Sequence, residues 1–380
     1  MKRHRIALQG WIFDAADAQA CSGAKNRLLA LLRGLASEPR RDRFSITLLA
    51  GRDPDPELVA AVAALPHGAT RCTALRAGPP LARVASEARL LGRLARDFDL
   101  VELATLPLPR LRSRTALLLH DTRDLGPLAR SVLHRVAARR ALRTALARAS
   151  VTMVPSTAIR DQVASLSPRR IEVVPAAVEP LPRDAWPPID RLPQGAFVSL
   201  ARPEARKRLD LLVRAYALGR RRSPALPRLL LAGPPSKGWA GLAALASELG
   251  VEAAITIRND VRDDERWPLL AAASALCFPS TLEGFGLPGV EAALVGCPVL
   301  VARDGVPHEV LGEAAIAVDE GVEAWAAAMV EVTQAAAQSA RSRLRLAQEE
   351  VAARYSPLRA AAAWVDAWER ALAISSRAVG

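Results

Sequence analysis

Apolar residues occur along this chain in two alternating rhythms. Short continuous runs read as buried strands: residues 5–8, 45–49, 100–103, 116–119, 151–154 and 171–174 in the first half, then 196–200, 228–232, 255–258, 275–278, 298–302 and 315–318 in the second. Between them lie longer stretches with apolar positions at helical spacing, at 25–36, 128–149, 209–221, 241–249 and 288–295. The alanine-rich stretch 323–337 reads as a helix too, and 357–373 as a last one, with Trp364 and Trp368 four apart on one face. Strand–helix alternation predicts an α/β protein with parallel sheets covered by helices on both faces. The halves join at residues 180–193, where five prolines in fourteen positions can continue neither a helix nor a central strand. The predicted organisation is a Rossmann-like domain over 1–180, a linker over 181–195 and a second Rossmann-like domain over 196–355, facing the first across a cleft. A terminal helix over 356–380 is expected to pack back on the first domain.

Composition narrows the class. The 380 residues are 51% hydrophobic, enough for real cores, which excludes wholesale disorder. No apolar run reaches the ~18–20 residues of a bilayer span. Met1-Lys2-Arg3-His4-Arg5 resembles the start of a signal peptide, but the apolar stretch Ile6-Ala7-Leu8 stops at Gln9-Gly10. That is short of the ~7–15 residues such a peptide needs, so a cytoplasmic protein is expected. Cys21, Cys72, Cys277 and Cys297 form no C-x-x-C pair and are expected as buried free thiols.

Charge changes the picture more. The formal net charge is +13, with Arg supplying all but four of the 52 cations, a bias that a GC-rich genome produces everywhere. Residues 1–190, however, hold 30 Lys/Arg against 18 Asp/Glu, a net +12, and the rest of the chain is near neutral. A nucleic-acid partner would explain a basic half, but aromatics make up only 4% of the chain, leaving little for base stacking. No nucleic-acid partner is expected.

The most specific stretch is Pro279-Ser280-Thr281-Leu282-Glu283-Gly284-Phe285-Gly286-Leu287-Pro288-Gly289-Val290-Glu291-Ala292. It follows a predicted strand and opens a short helix. Pro288 sits where a first-turn proline belongs, and Gly296 with Pro298 closes the far end. Free N–H groups of the helix and the Gly-Phe-Gly loop make a platform for anions and hydroxyls. Glu283 lies before the helix and Glu291 in its first turn, so both reach one ligand. Ser280 and Thr281 read as cap or turn residues.

This Glu-x7-Glu run resembles the signature of the retaining glycosyltransferases of family 4 (group 1), which have the GT-B fold. The resemblance implies that Glu291 binds the ribose hydroxyls of a nucleotide. It implies that Glu283 and the amides of Phe285, Gly286 and Leu287 hold the donor sugar and diphosphate. After the strand at 196–200 comes Ala201-Arg202-Pro203-Glu204-Ala205-Arg206-Lys207-Arg208. Three cations before a helix oppose its dipole unless an anion is bound. The family has an Arg and a Lys at this spacing, which implies that Arg202 and Lys207 grip the donor pyrophosphate; Ala201 stands where the family often has Gly. The segment 258–265 resembles the loop that cradles the base, with Val261 in contact and Asp263 capping the next helix. In the first half, Leu119-His120-Asp121 ends a strand as the family's His-Asp does, which implies that His120 contacts the donor sugar. Ser22-Gly23-Ala24 resembles the N-terminal glycine loop, placing Gly23 near the phosphates.

Asp53-Pro54-Asp55 and Asp97-Phe98-Asp99 are Asp-x-Asp by pattern only and are expected as solvated loop acids, with no metal and no cofactor required. The expected reaction moves a hexosyl group from a nucleoside-diphosphate sugar to an acceptor hydroxyl with retention. Arg202 and Lys207 would neutralise the departing diphosphate, a purely electrostatic task. The helix at 128–149, rich in Arg with Leu133 and Val136 between, is expected to bring the protein to the inner face of an anionic membrane as a peripheral enzyme. The acceptor would be a glycan or lipid-linked glycan of cell-envelope or lipopolysaccharide assembly. A sugar-nucleotide 2-epimerase of the same fold is the alternative.

Overall fold

All strand pairings in the computed structural model are parallel. It describes residues 3–14, 22–75, 80–126, 131–167, 169–334 and 337–373. The chain divides into two units, Met1–Val178 with Tyr355–Gly380, and Glu179–Arg354.

In the first unit the order along the chain is β1 (His4–Gln9), α1 (Ser22–Ser37), β2 (Phe44–Ala50), α2 (Pro56–Ala63), β3 (Gly68–Cys72), α3 (Pro80–Leu94), β4 (Leu100–Leu103), β5 (Arg114–Leu118), α4 (Val132–Arg148), β6 (Val151–Val154), α5 (Thr157–Ala164) and β7 (Ile171–Val173). The sheet order is β3-β2-β1-β4-β5-β6-β7. Strand side chains alternate between faces, so one strand feeds two cores. Ile6 and Leu8 of β1 pack with α1, while Ala7 joins Val101, Leu117 and Leu146 on the opposite face.

The second unit runs β8 (Phe197–Leu200), α6 (Leu209–Arg222), β9 (Leu229–Ala232), α7 (Gly238–Glu248), β10 (Ile255–Arg258), α8 (Arg266–Ala271), β11 (Ala275–Phe278), α9 (Leu287–Leu294), β12 (Val299–Ala302), α10 (Val306–Leu311), β13 (Ile316–Val318), α11 (Val322–Glu331) and α12 (Ala337–Arg354). Its sheet order is β10-β9-β8-β11-β12-β13. The proline-rich segment packs on this unit: Ile189 and Leu192 are buried, and Arg191 bonds Glu265 and Asp260.

The last helix, α13 (Pro357–Ala373), completes the first unit. Its buried face, Ala360, Ala361, Trp364, Val365 and Trp368, follows helical spacing. The two indole rings lie 4.3 Å apart and both donate N–H to Glu102 Oε2 at 2.8 Å. Gly34 of α1 permits the approach, since a Cβ there would stand 2.0 Å from the Pro357 carbonyl oxygen.

Several sequence expectations are corrected. Strand β3 escaped prediction because it is a largely exposed edge strand without an apolar run, and Cys72 at its end is exposed rather than buried. Cys277 and Cys297 are buried; Cys21 lies outside the described residues. The alanine-rich helix stops at Glu331, where Thr333 Oγ1 bonds back to the Val330 carbonyl. Asp55 is a buried cap, accepting from the N–H groups of Glu57 and Leu58 and pairing with Lys25 at 2.7 Å. Asp99 is partly buried and accepts from the Arg5 backbone at 2.8 Å, whereas Asp53 and Asp97 are exposed as expected, Asp97 in a surface pair with Arg71 at 2.9 Å.

Candidate functional site

Strand β8 lies between β9 and β11, so the chain leaves it in one direction across the sheet and returns on the other side. Ligands bind outside the carboxyl ends of parallel strands at such a switch point. The loops that leave these ends are 201–208 after β8 and 279–286 after β11, the two stretches that the sequence singles out.

They meet through charge. Lys207 Nζ forms an ion pair with Glu283 Oε1, and Arg206 Nη1 lies 3.4 Å from Oε2. Arg206 also donates to the Leu282 carbonyl at 3.0 Å and to Glu204 at 2.8 Å. Ser280, fully buried, donates to the Arg206 carbonyl at 3.1 Å, tying the loops together. The Lys207 ammonium sits 5.6 Å from the centre of the Phe278 ring. Burial pushes Lys207 below its ordinary range, while Glu283 pulls it back. Arg202, half-buried, forms no ion pair among the described residues. Nothing in the sequence sets Arg206 apart from the cations beside it, because a run of like residues does not reveal which side chains turn inward.

Helix α9 opens at Gly286, whose φ of +95° is a left-handed conformation that side chains resist. A Cβ there would also press on Pro307 Cγ at 3.0 Å. Phe285 is buried and Leu287 begins the helix. The helix starts one residue earlier than predicted, so Glu291 is its fifth residue, beyond the first turn. It is 3% exposed, with Oε1 3.2 Å from Arg266 Nη1 of α8 and Oε2 buried without a hydrogen-bond partner. Burial pushes this carboxyl upward, against the pull of Arg266. Arg266 too carries no mark in the sequence, since only the fold brings α8 against α9.

Val261 is half-buried in the loop after β10. Asp263 does not cap α8. Glu265 holds that position, its carboxylate drawn to Arg191 and to the Arg262 N–H at 2.8 Å. Arg208, where the chain turns into α6, has φ +51°, the one non-glycine residue with positive φ among those described.

The two remaining candidates belong to the first unit. Gly23 is exposed and lies in the first turn of α1 rather than in a loop before it. His120 is two residues past β5, with Nδ1 3.4 Å from Arg27 Nη1 and Nε2 buried without a partner. Arg27 gave no signal in the sequence, because an arginine in an amphipathic helix normally faces water. No cluster that could hold a metal ion occurs among the described residues.

Residues 190–349 match the family model described as "Glycosyl transferases group 1". Among curated proteins, the chain is 41% identical over 68 residues to MMP alpha-(1->4)-mannosyltransferase of Mycolicibacterium hassiacum, covering 18% of this chain and 16% of that enzyme. It is 36% identical over 123 residues to D-inositol 3-phosphate glycosyltransferase of Streptomyces coelicolor, covering 30% of this chain and 27% of that enzyme. The chain thus spans well under half the length of these relatives. Among solved structures, Anabaena HepE in complex with UDP and glucose superposes with a TM-score of 0.71 at 16% identity, over 97% of this chain and 100% of that one. The chain has the GT-B fold, and its segment 190–349 belongs to the group 1 glycosyltransferase family.

Proposed function

We propose that the protein is a retaining glycosyltransferase that moves a hexosyl group from a nucleoside-diphosphate sugar, held by the second unit, to an acceptor hydroxyl. The observation that carries this reading is Glu291: a buried carboxylate whose Oε2 lacks a partner, on the helix that starts beside the Lys207–Glu283 pair. A buried acceptor left unsatisfied is costly, and ribose hydroxyls are the donors that would satisfy it. The Anabaena structure of the same fold holds UDP and glucose, which supports a nucleotide-sugar donor.

The chemistry follows from these groups. The bond between sugar carbon and diphosphate oxygen breaks, and the acceptor oxygen bonds to that carbon on the same face. The acceptor's proton passes to a phosphate oxygen of the leaving group. Lys207 and Arg202 stabilise the charge that develops on the diphosphate, so side chains do what a metal ion does in other transferases. Gly286 lets the loop backbone approach, with Phe285 and Leu287 on either side. Val261 borders the base, and Glu283 positions the sugar. Retention is implied by the family resemblance.

The acceptor reading is a glycan or lipid-linked glycan of the cell envelope, met at an anionic membrane surface. Helix α4 supports it. Val132, Leu133 and Val136 are 65%, 83% and 58% exposed, beside exposed Arg139, Arg140 and Arg143, and the helix carries no acidic residue. Apolar wedges among arginines suit an anionic lipid interface.

Thermal unfolding with UDP-, GDP-, ADP-, CMP- and dTDP-sugars, followed by product analysis, tests the proposal. One nucleotide should raise Tm by mass action and yield a product of retained anomeric configuration. No stabilisation by any of them would sink the donor assignment, and an epimerised sugar without transfer would point to the epimerase.

A further inference from the structure

We propose that Arg27 is a positioning residue that sets the orientation and tautomer of His120, through a buried cluster completed by Glu102 and one water in the pocket they line. Its consequence for transfer rests on the function proposed above; the arrangement itself does not.

Arg27 is 3% exposed in α1 and Glu102 is 4% exposed in β4. Arg27 Nη2 donates to the Val174 carbonyl at 2.6 Å, which fixes the guanidinium against the chain leaving β7. Nη1 then faces His120 Nδ1 at 3.4 Å. A guanidinium has no acceptor, so Nδ1 must accept and the ring proton must sit on Nε2. An imidazolium would turn N–H against N–H in a buried site beside a second cation. Burial, with Arg27 second, accordingly lowers His120 to about 3. Asp121 and Arg123, paired to each other at 3.0 Å, are the other charges near the ring. The charge of Arg27 is opposed by Glu102, whose Oε2 is held by both indoles of α13.

Two donors, Arg27 Nε and His120 Nε2, remain buried without a partner. The residues that bear them line, with Gln9 and Glu102, a cavity of about 20 Å³. Roughly 10–15 Å³ of such volume holds one water. A water oxygen in that pocket accepts from both N–H groups. The ring of His120 is thereby held as a neutral side chain at the carboxyl end of β5. In the transfer proposed above, such a ring would act as an uncharged group and carry no acid–base duty.

Nitrogen-15 and carbon-13 NMR of His120 in the full-length protein without nucleotide tests this. The wild type should show the Nε2-protonated neutral ring down to pH 5. Arg27→Met should give mixed tautomers and move the titration midpoint up by about one unit or more. If Arg27→Met does not fold, because it strands Glu102, the Arg27→Met/Glu102→Met protein removes both charges and gives the same readout. A wild-type ring protonated on Nδ1 or titrating near 6.5 would overturn the proposal. So would a tautomer and midpoint that the variants leave unchanged. In a transfer assay the variant's kcat should gain an acid limb that the wild type lacks, with nucleotide-induced stabilisation intact. Absence of transfer in the wild type would count against the proposed function and leave the NMR result standing.

Discussion

Two buried titratable groups give the first unit opposing pH dependences. Burial raises Glu102 to about 7 from 4.5 and lowers His120 to about 3 from 6.5. Between 4.5 and 7 the folded chain holds a proton on Glu102 that the unfolded chain has released, so this contribution falls as pH rises. His120 does the reverse, since below 6.5 the unfolded chain takes up a proton that the folded ring refuses. The two cancel to first order between 4.5 and 6.5. Below 4.5 the His120 loss stands alone, at about 2 kcal/mol by pH 3. Urea unfolding across this range should show that limb in the wild type and a flatter one in His120→Gln; an unchanged limb would remove His120 as its source. In the donor site, Glu283→Ala should abolish transfer while nucleotide still raises Tm, and Lys207→Ala should weaken both. Normal transfer by Glu283→Ala would end its assignment. The residue types at these positions were legible in the sequence. Their partners were not: that Arg206 turns to Glu283, Arg266 to Glu291 and Arg27 to His120 depends on elements distant in sequence.

Helix α9 shows what one element needs at its entrance. Gly286 combines a left-handed backbone with a close neighbour, Pro307. Gly286→Ala should cost about 1–2 kcal/mol from the backbone alone and reduce nucleotide-induced stabilisation, both read from one thermal series. The opposite change applies at α6, where Arg208 adopts φ +51° and its guanidinium bonds the exposed Glu320 at 2.9 Å. Arg208→Gly should be neutral to stabilising by up to about 1 kcal/mol; a clear fall in Tm would show that the guanidinium matters more than the backbone. Central strands such as β1, β8 and β11 were legible because burial on both faces makes them continuous apolar runs. Edge strand β3 has no such burden and left no such mark. Asp55 resembled a solvated acid because a cap and a loop acid look alike until the helix behind them is placed.

For the molecule as a whole, the charge asymmetry is the property that predicts behaviour. If α4 docks on anionic lipid, co-sedimentation with phosphatidylglycerol vesicles should fall as salt shortens the screening length, to about 8 Å at physiological strength. Leu133→Asp/Val136→Asp should abolish it without moving the unfolding curve, because both side chains are exposed. Binding that survives both treatments would place the contact elsewhere. The return of α13 to the first unit has a consequence for biosynthesis. Its sheet leaves the ribosome by Val178, but the indoles that hold Glu102 follow only after Glu179–Arg354 has been made. At about 5–20 residues per second, the nascent sheet waits on the order of ten seconds or more with the part of its α1 face that α13 covers left open. A chain cut before α13 would keep that exposed surface for good, so nonsense truncation near the terminus should yield protein bound by chaperones and cleared, not a shortened enzyme.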